Sequence, residues 1–144
     1  MHTLPIKIRG YHLDGYGHVN NARYLEFMEE GRWSLFEQFV DLQTLEAEGH
    51  AYVVVSIDIE YRRAANMHDE LRLETRLLAF NRRHITVQQH LFHTHTNKLI
   101  TAATVTLAVM SVSSGRSMVI EGGVAERLQR MLEAGSGANP PEQV

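Results

Sequence analysis

The sequence predicts an α+β domain from three observations. Leu4, Ile6 and Ile8 alternate with Lys7 and Arg9, the two-residue period of a strand with one buried face. From Asn20 to Phe39 apolar residues return every three or four positions, the period of an amphipathic helix. Between Ala51 and Val112 four further stretches go back to alternation. One strand, one long helix and a meander of strands can bury that helix only if the sheet wraps around it.

At 144 residues the chain is long enough for one domain with its own core and short for two. A single domain over residues 1–133 is expected, followed by a disordered tail, 134–144, that reads AGSGANPPEQV. A formal charge of −3 gives no support for nucleic acid or an anionic membrane as partner. Without cysteine there is neither a disulfide framework nor a thiol nucleophile. The first residues lack the apolar core of a signal peptide and no later run approaches a membrane span, so a cytoplasmic protein is expected.

The first strand carries Pro5, which suits a strand start or a sheet edge. DGYG, Asp14 to Gly17, is a turn: glycine supplies positive φ, and aspartate bonds its own downstream backbone. The helix opens with Asn20 as its N-cap and places Leu25, Met28, Leu35, Phe36 and Phe39 on one stripe, interrupted by Arg32. Gly31 inside it costs about 1 kcal/mol against alanine, which predicts a strand passing unusually close. Asp41 to Glu48 reads as a short helix stopped by Gly49. In the strand Ala51 to Arg63, Val53, Val55, Ile57, Ile59 and Tyr61 share one face. Glu70 to Leu77 is half-buried, Asn81 to Arg83 turn, and His84 to His95 presents Ile85, Val87, Gln89 and Leu91 together. Leu99 to Val112, almost wholly apolar or β-branched, is placed inside the sheet. A turn at Ser113 to Arg116, a short strand Met118 to Ile120 and a helix Glu121 to Glu133 close the chain, the helix with Val124, Leu128, Met131 and Leu132 inward.

The chemistry concentrates in Tyr11 to Phe27, YHLDGYGHVNNARYLEF. A helix opening at Asn20 or Asn21 leaves its first backbone N–H groups without intrahelical partners, free to point at a substrate carbonyl. Asp14 lies on the turn just upstream, where it can handle water or attack that carbonyl. The alternative for Asp14 is a turn aspartate that stabilises the Gly15 bend.

Asp14, Gly17, His18, Val19, Asn20, Asn21, Ala22, Tyr24 and Glu29 together resemble the signature of the 4-hydroxybenzoyl-CoA thioesterase group of hotdog-fold proteins. Within that group Ile6 to Trp33 is similar to the opening of the bacterial long-chain acyl-CoA thioesterase III type, and the likeness continues through Tyr52 to Arg63. The resemblance implies a hotdog fold, a curled antiparallel sheet around one long helix, with protomers paired into a continuous sheet and an active site shared at their interface. It implies an acyl-CoA substrate, a homodimer or homotetramer, and no metal or redox cofactor. Asp14 would be the catalytic acid, either as nucleophile through a mixed anhydride or as general base on water. The Asn21 backbone amide would polarise the thioester carbonyl, with the helix dipole adding stabilisation of the same sign. Helix capping by Asn20 and Asn21 is compatible with that role.

His18 is a candidate to orient Asp14 or water, or else a packing residue of the turn. Tyr24 is expected at the substrate by resemblance. Arg82, Arg83 and His84 are solvated turn charges on composition alone, whereas the resemblance makes them the basic hairpin that holds the phosphates of coenzyme A from the partner subunit. Arg62 and Arg63 are a second pair for that work, although Ala64 stands where the resembling sequences carry proline. Phe27, Met28, Trp33, Phe36 and Phe39 offer a long apolar pocket or simply core. Of the nine histidines, His84, His90, His93 and His95 point in two directions along one strand with no carboxylate or cysteine to complete a set, so no metal is expected. The other readings are a thioesterase for acyl carrier protein or an aromatic acyl-CoA, and a non-catalytic acyl-CoA-binding module.

Overall fold

The computed structural model describes residues 1–135, and the expected tail from 136 onward lies outside the described residues. Five antiparallel strands form one curled sheet: β1 (His2–Lys7), β2 (His50–Tyr61), β3 (Glu70–Phe80), β4 (Ile85–His93) and β5 (Leu99–Ser111), in the spatial order β1-β3-β4-β5-β2. Helix α1 (Asn21–Phe36) lies in the hollow of this sheet, α2 (Leu42–Glu48) precedes β2, and α3 (Gly122–Gly135) ends the described chain. Among the described residues no helix is long and apolar enough to cross a membrane.

The local rules hold at the ends of the helices. Asn20 caps α1, its side chain accepting from the Ala22 N–H at 2.9 Å. Asp41 caps α2 by accepting from Thr44 N–H at 2.6 Å, and Gly49, at φ 71°, stops it. Asn81 Oδ1 accepts from the N–H groups of both Arg83 and His84, fixing the β3–β4 turn. Pro5 does sit on an edge strand.

Two buried clusters fill the hollow. One gathers Ile8, Val19, Tyr24, Phe27, Met28, Leu71, Leu73 and Leu91 under the first half of α1. The other gathers Leu35, Phe36, Ile85, Val87, Val105, Leu107, Leu128 and Met131 under its second half and α3. Between them runs a polar belt. Gln89 donates to the Met28 carbonyl at 2.8 Å and to Thr75 Oγ1 at 3.0 Å, and accepts from Arg32 at 3.0 Å. The belt explains Gly31: a Cβ there would stand 2.4 Å from Leu73 Cδ2 and 2.9 Å from Thr75 Oγ1, the close strand approach expected of that glycine.

Four expectations need correcting. Leu25 is 38% exposed, because Tyr24, Phe27, Met28, Gly31 and Arg32 take the inner face instead. In β2 the register slips between Val54 and Ser56, so Tyr52 before the bulge falls on the same face as Ile57 and Ile59 after it; Val54 and Val55 are both exposed. Met118 to Ile120 forms no strand: Met118 N–H donates to Val109 and Ile120 N–H to Arg82, which pins the segment without a ladder. His95 lies past the end of β4, where it pairs with Glu70 at 3.0 Å.

Candidate active site at the start of the long helix

A single 3-10 turn at Gly10–His12 leads into the loop that carries Asp14. Leu13 and Val19 bridge, and within that bridge Asp14 N–H donates to the His18 carbonyl at 2.8 Å. The Asp14 carboxylate uses one oxygen, Oδ1, to accept from Tyr16 N–H at 2.8 Å and His18 N–H at 3.3 Å. The turn role considered for this residue is therefore real. It also fixes the carboxylate's direction and leaves Oδ2 without a hydrogen-bond donor among the described residues. Gly17, at φ 80°, makes the tight return possible.

The same loop is fastened to the helix start. Asn20 N–H donates to the His12 carbonyl at 2.9 Å, and Val19 N–H to the Ala65 carbonyl at 3.1 Å. The Asn21 N–H, at the first position of α1, has no acceptor among the described residues. Its carbonyl accepts from the Tyr61 hydroxyl at 3.3 Å. A carboxylate oxygen and a helix-start donor thus stand on two ends of one short, doubly tied segment.

The other candidates separate. His18 is exposed and reaches Asp14 through its backbone N–H, not through its ring. Tyr24, expected at the substrate, is 2% exposed; its ring meets Phe27 edge-on and its oxygen accepts from Ala65 N–H at 3.0 Å, with burial pushing the phenol's pKa up. It holds the loop after β2 against the helix. Arg62 is engaged by Glu60, and Arg63 donates to the Leu99 carbonyl at 3.2 Å. Arg82, Arg83 and His84 are exposed at the β3–β4 tip and make no ion pair among the described residues. That tip lies at the far end of the sheet from Asp14: Ile85 faces Leu107, while Leu91 and Tyr61 both face Thr101. At about 3.3 Å per residue those levels alone are about 20 Å apart.

Sequence reasoning missed His12. Its buried ring accepts Arg9 N–H at Nδ1, 2.8 Å away, packs edge-on against Phe27, and is held neutral-leaning by burial, which lowers its pKa. Nothing in the string YHLD distinguishes such a histidine from an exposed turn residue.

A cavity of about 530 Å³ opens elsewhere, between the second half of α1, α2 and the start of β2. Arg32, Trp33, Phe36, Leu45, Tyr52 and Val54 contribute to its wall, and Asp14 and Asn21 do not. Its size falls within the range of about 300–1,000 Å³ usual for small-molecule sites. A smaller cavity of about 170 Å³ lies on the other face of the sheet, beside Asp58, Glu60, Arg62 and His90.

A curled five-stranded sheet around one helix, with a carboxylate loop at that helix's start, defines a class. Residues 9–128 match the thioesterase-like superfamily; the chain belongs to it and has its hotdog fold. It is similar to the long-chain acyl-CoA thioesterase FadM of Escherichia coli (strain K12), 38% identical over 128 residues that span 89% of this chain and 97% of that one. The crystal structure of YbaW, a probable thioesterase from Escherichia coli, matches with a TM-score of 0.83 and 37% identity, covering 90% of this chain and 98% of the other. A Staphylococcus aureus protein solved in complex with CoA shares the fold, with a TM-score of 0.86 at 11% identity, over 97% of this chain and 89% of that one.

Proposed function

We propose that this protein hydrolyses medium-to-long-chain acyl-CoA to free fatty acid and CoA in the cytoplasm, using Asp14 and the Asn21 amide and no metal or redox cofactor. The observation that carries this reading is the tied segment at the start of α1, which offers one unengaged carboxylate oxygen and one unengaged N–H. The thioester oxygen accepts from Asn21 N–H, and negative charge developing on it is met by that donor and by the positive end of the helix. Asp14 Oδ2 either takes a proton from the attacking water or attacks the acyl carbon itself. In both routes the carbon–sulfur bond breaks and CoA leaves as thiolate, which takes up a proton; in the second, water then hydrolyses the mixed anhydride on Asp14, releasing the fatty acid and restoring the carboxylate.

The enzyme works as a homodimer, or as a tetramer of two such pairs, joined through β2. That strand is twelve residues long and, among the described residues, has only β5 beside it. Antiparallel pairing of two β2 edges turns the partner end for end. The partner's Arg82, Arg83 and His84 then arrive at the end of the sheet where Asp14 lies, free to bind the phosphates of CoA. The large cavity, beside β2 at the opposite end, is carried across in the same way and offers the partner's site a place for the acyl chain.

The test is thiol release from palmitoyl-CoA by wild type and Asp14→Asn at equal folded concentration. The variant is expected to lose about 100- to 10,000-fold in kcat with an unchanged urea midpoint. Turnover retained within a few fold would remove Asp14 from the chemistry. Parallel assays with acyl carrier protein and aromatic acyl-CoA substrates fix the acyl carrier.

A further inference from the structure

The interior of this fold holds a cation with no ion pair among the described residues, and the proposed hydrolysis gives it no task. Arg32 is 7% exposed. Its guanidinium makes one hydrogen bond among the described residues, to Gln89 Oε1, and no ion pair. Gln89 is neutral and cannot balance the charge, and its NH2 is spent on donating to Met28 and Thr75. Glu29, one helical turn earlier, favours the charged form from a distance and is itself exposed. A guanidinium carries five N–H donors, only one of which is used by Gln89, and Arg32 forms part of the wall of the 530 Å³ cavity. An uncompensated buried charge costs several kcal/mol. Most of the remaining wall is apolar, from Trp33, Phe36, Leu45, Val54 and Leu107; His50 and three exposed glutamates, Glu29, Glu37 and Glu46, also line it, so that Arg32 is its one arginine or lysine. Such a cavity matches an amphiphile with one anionic group.

We propose that this cavity binds an aliphatic chain bearing a carboxylate, the carboxylate forked on the Arg32 guanidinium and the chain lying along Trp33, Phe36 and Leu45. Arginine and carboxylate match in planar, two-bond geometry, and the bonds are charge-assisted. That chemistry has two sources. One is a free fatty acid, the product itself included. The other is the distal carboxyl of an acyl-CoA derived from a dicarboxylic acid, and this second source alone rests on the hydrolase reading.

Trp33 is the chain's single tryptophan and lines the cavity, so its emission reports occupancy without a label. In the first arm the intact oligomer is titrated with dodecanoate and with dodecanol, for wild type, Arg32→Met and Arg32→Lys. Wild type should bind dodecanoate about tenfold or more tightly than dodecanol. Arg32→Met should abolish that preference and Arg32→Lys keep part of it. In the second arm kcat/KM is compared for dodecanedioyl-CoA and dodecanoyl-CoA. A fall of about tenfold or more in their ratio in Arg32→Met assigns the site to the substrate's distal carboxyl; selective dodecanoate binding with an unchanged ratio assigns it to the free acid.

Equal binding of dodecanoate and dodecanol by wild type, with an unchanged ratio, overturns the proposal. So does an Arg32→Met protein that keeps the preference for dodecanoate. If Arg32→Met does not fold, wild type against Arg32→Lys decides. If the charge is instead met by the partner subunit, Arg32→Met dissociates while wild type shows no carboxylate preference, and the proposal also falls. The first arm is an equilibrium measurement and needs no turnover, so its outcome is separate from the fate of Asp14 as the catalytic group.

Discussion

Asn21→Pro isolates the one donor on which the proposed chemistry leans. At the first position of a helix proline deletes a backbone N–H that has no intrahelical partner, and its fixed φ is already helical. Three features of this helix start make the change tolerable. The Asn21 N–H donates to nothing among the described residues. Asn20 sits at φ −62° and ψ 137°, the extended region to which a following proline confines its neighbour. The Asn21 carbonyl, which accepts from Tyr61, and the cap bond from Ala22 N–H to Asn20 both survive. Stability should therefore move by no more than about 0.5 kcal/mol, the range of an ordinary surface substitution. An oxyanion donor lost from a preorganised site costs about 3 kcal/mol, so kcat should fall about 100- to 1,000-fold. Asn21→Ala is the control: it removes the same side chain, keeps the N–H, and should turn over within about threefold of wild type, where a lost donor would cost far more. Thiol release at saturating palmitoyl-CoA and urea midpoints on the same preparations give both numbers. A folded proline variant with near wild-type kcat refutes the oxyanion role, as does an alanine variant that falls equally far.

Other consequences are open to direct measurement. Gly31→Ala gains about 1 kcal/mol of helix propensity but drives a methyl to 2.4 Å from Leu73 Cδ2. Overpacking of about 1–3 kcal/mol wins, so the urea midpoint should drop, and drop less in a Leu73→Val background that lacks the offending carbon. Arg82→Ala with Arg83→Ala should raise KM for acyl-CoA about tenfold or more, with kcat little changed and no effect on acyl-pantetheine, which lacks the nucleotide phosphates. Burial lowers the pKa of His12 and His90 below the ordinary value of 6.5. Unfolding then lets both take up protons, so stability is full well above pH 6.5 and lost as pH falls through 6.5 toward the folded values, by at most about 1.4 kcal/mol per pH unit per histidine. Urea midpoints from pH 8 to pH 5 would show it; a flat profile, or a slope unchanged by His12→Gln and His90→Gln, would count against it.

What could be read in the sequence was what neighbours along the chain decide. The cap at Asn20, the Asn81 turn and the Asp14 loop all depend on a side chain bonding backbone two to four residues away, the stop at Gly49 on a positive φ that glycine reaches freely, and all are present. Gly31 was legible because a glycine that weakens a helix needs a reason outside it. The phase of β2 was not, since Val53, Val54 and Val55 satisfy either alternation and only the pairing with β5 places the bulge. Leu25 lost its inward place to Tyr24, whose oxygen is claimed by Ala65, forty-one residues on. The same contact engages the hydroxyl of Tyr24, a residue expected at the substrate. The candidate site was readable at Asp14 and Asn21 for the local reason, while the phosphate contact proposed for the Arg82–Arg83 hairpin would depend on a second chain.

The two rims of the sheet are unlike each other. On the β1 side a six-residue strand carries Pro5, which has no N–H to offer a newcomer, whereas the β2 side runs twelve residues without a proline. Two copies that join through β2 expose only β1 rims at the outer limits of their combined sheet. In the proposed dimer, growth by strand addition would then be disfavoured beyond two copies, so that edge-to-edge association need not seed a fibre.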